Sequence, residues 1–238
     1  MTSFLQALPL LPVADWAALL VFFAGWAGYA TWAQQRAGVR PSVLALTNRE
    51  RMRWMLQTSR RDNRVVDGVV VQNMSTSPSF FASTTILIIG GLLAVLSATD
   101  RANDLVREFP FATQTSVIVF NVKLVMLAAI FVYAFFRFTW SLRQYTFGAL
   151  ILAAAPDPSA WPDEAHRHHF AQRAGRVMGL AAESFNDGLR AYYFAFAALA
   201  WFFSPWFFMA ATAAVAFVLY RREFHSEVLA VLAEEPPA

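Results

Sequence analysis

Several stretches of about twenty residues carry almost no charged side chain, and that is the length a helix needs to cross roughly 30 Å of hydrocarbon. A water-soluble core does not absorb the apolar surface of a 238-residue chain that is 58% hydrophobic and 16% aromatic. Membrane spans are therefore the primary reading. The expected fold class is all-α: an integral membrane helical bundle of about four to five spans with long cytoplasmic helical extensions, one domain over residues 1–238.

The first span is expected over about 13–33, with Trp16 near one end and Trp26, Tyr29 and Trp32 toward the other, where such rings favour the interface. The stretch lacks a basic n-region and a small-residue cleavage site, so it reads as a retained span. From Gln34 to Ser79 the chain holds Arg36, Arg40, Arg49, Arg51, Arg53, Arg60, Arg61 and Arg64 against Glu50, Asp62 and Asp67. That excess assigns the loop to the cytoplasm. Within it, Thr47-Asn48-Arg49-Glu50 has the form of a capping box with Thr47 at the N-cap, and it opens one long amphipathic helix over about 47–76. Met52, Met55, Leu56, Ser59, Asn63, Val66 and Val70 would share one face, and Arg49, Arg53, Arg60, Arg64 and Asp67 another. Pro78 is expected to break the chain before a second span over about 83–98.

The loop from Thr99 to Gln114 is short and net acidic, which suits the periplasm. A third span follows over about 116–136, and Arg137 and Arg143 mark the cytoplasm again. The apolar run Tyr145 to Ala155 is too short to cross and reads as an extension of that helix, the start of a cytoplasmic helical segment over about 137–183 that begins afresh near Pro162-Asp163-Glu164. The last apolar stretch, Ala191 to Tyr220, has Ser204-Pro205-Trp206 at its centre. One kinked span would leave Arg221 and Arg222 outside; a hairpin turning at Pro205 returns them to the cytoplasm and is preferred, with spans over about 184–203 and 206–222. The expected location is a bacterial inner membrane, multi-pass, with the N-terminus periplasmic and the C-terminus cytoplasmic.

The chain has no Cys, which excludes disulfides, thiol nucleophiles and Cys-ligated metals. Its net charge of +3 rests on Arg residues that flank apolar spans, so the basic balance points to lipid headgroups and not to nucleic acid. Lys123, the single Lys, lies inside an apolar span two residues after Asn121. It reads either as part of an ion or substrate pathway or as a Lys snorkelling to the headgroups. Ser83, Thr84 and Thr85 place hydroxyls at the mouth of the second span, where they either line a path or bond a neighbouring helix. Arg176, Glu183, Asp187 and Arg190 form one charged stripe at helical steps, with intrahelical pairing expected first, and Gly175 and Gly179 beside it suggest close helix packing. Arg53, Arg60, Arg137 and Arg143 are candidate headgroup contacts. His166, His168 and His169 lack a metal-site spacing, and no phosphate loop, nucleophile elbow or apolar carboxylate pair occurs, so no metal, no cofactor and no enzymatic activity are expected.

Three stretches carry a family resemblance: Phe80-Phe81-Ala82-Ser83-Thr84-Thr85-Ile86-Leu87; the run from Phe131 to Tyr145 that contains Phe135-Phe136-Arg137-Phe138-Thr139-Trp140-Ser141-Leu142-Arg143-Gln144-Tyr145; and Leu219-Tyr220-Arg221-Arg222-Glu223-Phe224. In these the chain resembles the bacterial and plant membrane proteins grouped as domain of unknown function 599, and it departs from their pattern at Thr146 and Ser204. The resemblance implies a multi-span membrane protein and supplies no activity. The functional expectation is a homo-oligomeric channel or transporter-like protein whose path is lined by Ser83, Thr84, Thr85, Asn121 and Lys123. The alternatives are a membrane scaffold or accessory subunit with an unknown protein partner, and a lipid-acting enzyme.

Overall fold

In the computed structural model the described residues are 11–36, 42–99, 101–102, 105 and 116–234. Arg40 and most of the acidic loop, including Asp100, Asp104, Arg107 and Glu108, lie outside them, as do the side chains of Trp32 and Arg36. The elements are helices α1 (Val13–Arg36), α2 (Val43–Thr58), α3 (Val65–Ser97), α4 (Val117–Ala153), α5 (Glu164–Leu199), α6 (Pro205–Phe224) and α7 (Glu227–Ala233), with 3-10 turns at Pro158–Ala160 and Ala200–Phe202. No strand occurs among the described residues, so the fold is all-α. Among the described residues two helices, α3 and α4, are long and apolar enough to cross a membrane.

The helix starts follow local chemistry, and here the expectations need correction. Thr47 is not an N-cap. Ser42 caps α2, its hydroxyl accepting from the Ala45 N–H at 3.1 Å, and Thr47 sits one turn inside with its hydroxyl donating to the Val43 carbonyl at 2.8 Å. The single helix expected over 47–76 is two helices, α2 and α3. The chain leaves α2 at Ser59 and restarts where the Asn63 carboxamide oxygen accepts from the Val65 N–H at 2.9 Å, a local bond that outcompetes helix continuation. Pro78 does not break the chain: α3 runs through it to Ser97. One missing N–H removes a single bond from a long helix whose flanking turns keep theirs. Tyr145 to Ala153 does continue α4, and Asp163 opens α5 by accepting from the His166 N–H at 2.8 Å.

The chain forms two compact units. The first comprises the described residues within 1–36, 85–133 and 190–222. Its centre is aromatic. Phe22 is fully buried between Phe194 and Phe208, at ring separations of 5.7 and 4.9 Å, and Trp201 stacks on Phe208 at 5.3 Å. Because Trp201 meets Phe208 and Tyr193 accepts from Arg222, the chain turns back on itself at Phe203-Ser204-Pro205; the hairpin is the geometry found. Proline at the first position of α6 needs no donor there, which makes it a helix start as readily as a stop.

The second unit comprises the described residues within 37–84, 134–189 and 223–238. Met55, Tyr145, Leu152, Ala174, Met178 and Ala181 form its core. Glycines on α5 set how closely its neighbours approach. A Cβ on Gly175 would stand 2.9 Å from the Met52 Cα, and one on Gly179 would stand 2.9 Å from the Asn48 carboxamide oxygen. The α5 stripe reaches other helices: Asp187 bridges to Arg137 of α4, and Glu183 accepts from the Asn48 amide of α2 at 3.3 Å. Arg176 is exposed.

Gly175→Ala forces the Met52 backbone to move and costs about 1–3 kcal/mol. Gly68→Ala, where a Cβ meets nothing within 4 Å, is neutral or stabilising by up to about 1 kcal/mol. Chemical unfolding of both variants in detergent micelles measures the difference; equal midpoints would show that α2 does not approach α5 this closely.

Candidate functional site

In the first unit the apolar helices bury Asp15, Lys123 and Arg190, and two of these share a partner. Lys123 on α4 is 2% exposed and Asp15 on α1 is 3% exposed, and Trp201 joins them. The Trp201 indole N–H donates to the Asp15 carboxylate at 2.5 Å, while the Trp201 carbonyl accepts from the Lys123 ammonium at 2.7 Å. The ammonium also lies 5.3 Å from the Trp201 ring centroid. Why Trp201 serves both follows from its place: it lies in the 3-10 turn that ends the α5 arm of the hairpin, where carbonyls have no helical partner and favour a cation. The Asp15 charge acts on Lys123 as well. Lys123 therefore neither snorkels nor stands in open space; it is held in a packed charged cluster.

The other proposed path residues of this unit are also engaged. Asn121 accepts from the Thr99 hydroxyl at 2.9 Å, and Thr85, fully buried, is 2.7 Å from the Tyr192 hydroxyl. Arg190, the last member of the charged stripe, lies over the Tyr29 ring at 5.7 Å. In the second unit Ser83 is exposed and Thr84 half-buried. Of the five path candidates, the structure buries Thr85 and Lys123 and leaves Ser83 on the surface.

The candidate headgroup arginines have protein partners too. Arg53 pairs with Glu50 at 2.6 Å, Arg60 with Glu164 at 2.5 Å and Arg137 with Asp187, and Arg143 lies over the Phe147 ring at 5.8 Å. The Arg60 hydrogen bond holds the Glu164 carboxyl below the usual range, and His166 does the same for Asp163. A depressed carboxyl keeps its bridge at neutral pH and releases it only as pH falls through its lowered value. Of the His triplet, His166 turns to Asp163 at 2.7 Å and His168 approaches Glu164 at 3.8 Å.

Two groups escaped the sequence reading. Asp15 is the one acidic residue within the first apolar stretch, a signal available but not used. Asp67, read as part of a charged helix face, is fully buried. One of its oxygens accepts from Trp54 at 2.6 Å, Thr58 at 3.0 Å and Arg61 at 2.6 Å, which ties α2 to the start of α3 across the Ser59–Arg64 break. Arg64, likewise assigned to that face, reaches the carbonyls of Ala155 and Pro156 beyond the end of α4.

Residues 17–228 match the family described as protein of unknown function, DUF599. The chain belongs to that family. No curated protein and no solved structure matches it. The stretches that carry the DUF599 resemblance fall inside the match, and the side chains they supply are packing groups. Phe138 is fully buried and stacks on Phe81 at 5.3 Å, Ser141 donates to the Ala181 carbonyl at 2.7 Å, and Glu223 accepts from the Leu44 N–H at 3.1 Å.

Lys123→Met strands the Asp15 charge in an apolar interior and destabilises the DUF599 chain by about 3–5 kcal/mol. Adding Asp15→Asn to it restores part of that loss, so the double variant falls short of the sum of the two single ones. Urea unfolding in micelles reads the cycle; strict additivity would mean that the two groups do not share an environment.

Proposed function

We propose that this DUF599 protein is a multi-pass integral membrane protein of a bacterial inner membrane that works without catalysis, as a scaffold or accessory subunit holding another membrane protein against α3. One observation carries the reading. Only 11% of the most apolar window of α3 is buried, against 44% for α4. A soluble core helix hides such a window, whereas Ile86, Leu87 and Leu93 are exposed by more than half. Lipid explains the large side chains. It does not call for the small ones: Gly90, Ala94 and Ser97 stand exposed with Leu87 at four- and three-residue steps, the spacing at which helices in membranes approach one another.

The positive-inside balance supports a periplasmic N-terminus and a cytoplasmic C-terminus, with Arg49, Arg51, Arg53, Arg60, Arg61 and Arg64 on the cytoplasmic side. Further spans over α1 and over the two arms of the α5–α6 hairpin belong to the same proposal. A second reading, the homo-oligomeric channel or transporter-like protein, is favoured by Asp15 and Lys123, because ionisable groups inside apolar helices mark ion pathways. A lipid-acting enzyme is the weakest of the three, since Arg53, Arg60 and Arg137 already hold carboxylates.

Gly90→Leu tests the scaffold directly, because a Cβ there meets nothing within 4 Å and the fold accepts the change. Tagged wild-type protein extracted in gentle detergent is expected to bring down a stoichiometric membrane partner, and Gly90→Leu to lose it while keeping its unfolding midpoint. Recovery of copies of this chain alone would reject the scaffold. In that event ion flux through reconstituted wild-type bilayers, altered by Lys123→Met, is the result the channel requires.

A further inference from the structure

Between the end of α4 and the start of α5 the second unit holds a cavity of about 500 Å³. Leu150 of α4 and Phe170 of α5 contribute apolar walls, and the polar side chains that reach the lining are Trp161, His166, His169 and Arg173. The last three are three and four residues apart on α5, so they rise along one side of the helix. All four offer N–H groups, and no carboxylate lines the space. The carboxylates nearby in sequence are already engaged: Asp163 holds His166, and Glu164 pairs with Arg60 and lies 3.6 Å from Arg167.

Trp161 supplies the second observation. Its ring is fixed by Phe170 at 5.2 Å and by the Arg167 guanidinium at 6.0 Å. Its indole N–H is nonetheless buried with no acceptor. A buried donor without a partner costs about 1–3 kcal/mol, which an acceptor brought by a ligand removes. A fixed donor, an arginine and two imidazoles around an apolar chamber describe a complementary molecule: negative at one end and apolar at the other.

We propose that this cavity binds an organic anion, a phosphate or carboxylate head on a short apolar body. The head meets Arg173, His169 and the Trp161 N–H, and the body packs on Leu150 and Phe170. A membrane phospholipid and a free amphiphilic metabolite share this chemistry.

Calorimetric titration of hexyl phosphate into the full chain in phosphatidylcholine nanodiscs, with empty nanodiscs subtracted, tests the site. One saturable equivalent is expected, with hexanol and inorganic phosphate each binding at least about tenfold more weakly because each lacks one half of the match. Arg173→Gln weakens hexyl phosphate about tenfold, and Trp161→Phe, which keeps the ring contact but removes the donor, weakens it about threefold, both at an unchanged unfolding midpoint. Repeating the titration in phosphatidylglycerol nanodiscs separates the sources: competition identifies a lipid headgroup as occupant, and unchanged affinity identifies a free anion. Absence of saturable binding, or Arg173→Gln binding as wild type does, overturns the proposal.

Discussion

A charge removed from water must be met by an opposite charge or by directed hydrogen bonds, and in a chain this apolar few groups exist to do so. The scarcity makes each pairing decisive. Asp15 and Lys123 lie on α1 and α4, more than a hundred residues apart in sequence, and Trp201 at the hairpin turn joins them. Those two hydrogen bonds tie α1, α4 and the hairpin to one another inside the first unit. Leaving any one group unpartnered costs more than a typical core contact contributes.

The second unit solves the same problem with different chemistry. It has polar residues enough to form bridges between helices: Arg137 with Asp187, Asn48 with Glu183, Ser141 with the Ala181 carbonyl. Glycines let α5 come close to α2 beside the Asn48–Glu183 bridge, since Gly175 and Gly179 carry no Cβ there. Asp67 then closes the break between α2 and α3 by gathering three donors on one oxygen. At the α4–α5 turn the buried Trp161 N–H has no acceptor beside a cavity whose polar lining offers N–H groups.

Function follows from which surfaces are finished and which are not. Thr85, Asn121 and Lys123 each find a hydrogen-bond partner within the chain. The face of α3 that carries Gly90 and Ala94 is unfinished, apolar and notched, and the scaffold reading rests on it. Membership of DUF599 fits this division, because the stretches it rests on supply buried rings, a helix-to-helix hydrogen bond and a backbone anchor.

Periodicity and apolar length determined that the chain is helical, where the long apolar helices run and that α4 continues past Tyr145, and Pro205 with the basic pair Arg221 and Arg222 after it pointed to the turn. These depend on residues adjacent along the chain, so spacing reports them. The break at Ser59–Arg64 and the passage of α3 through Pro78 were misread, because each depends on a balance between one local side-chain bond and the turns around it. Tertiary structure decided the rest: that Asp187 reaches Arg137, that Asp67 is buried, that Lys123 finds Trp201, and that the Trp161 N–H finds no acceptor. A charge has no periodicity, and its partner is whichever group the folded chain brings within a few ångströms.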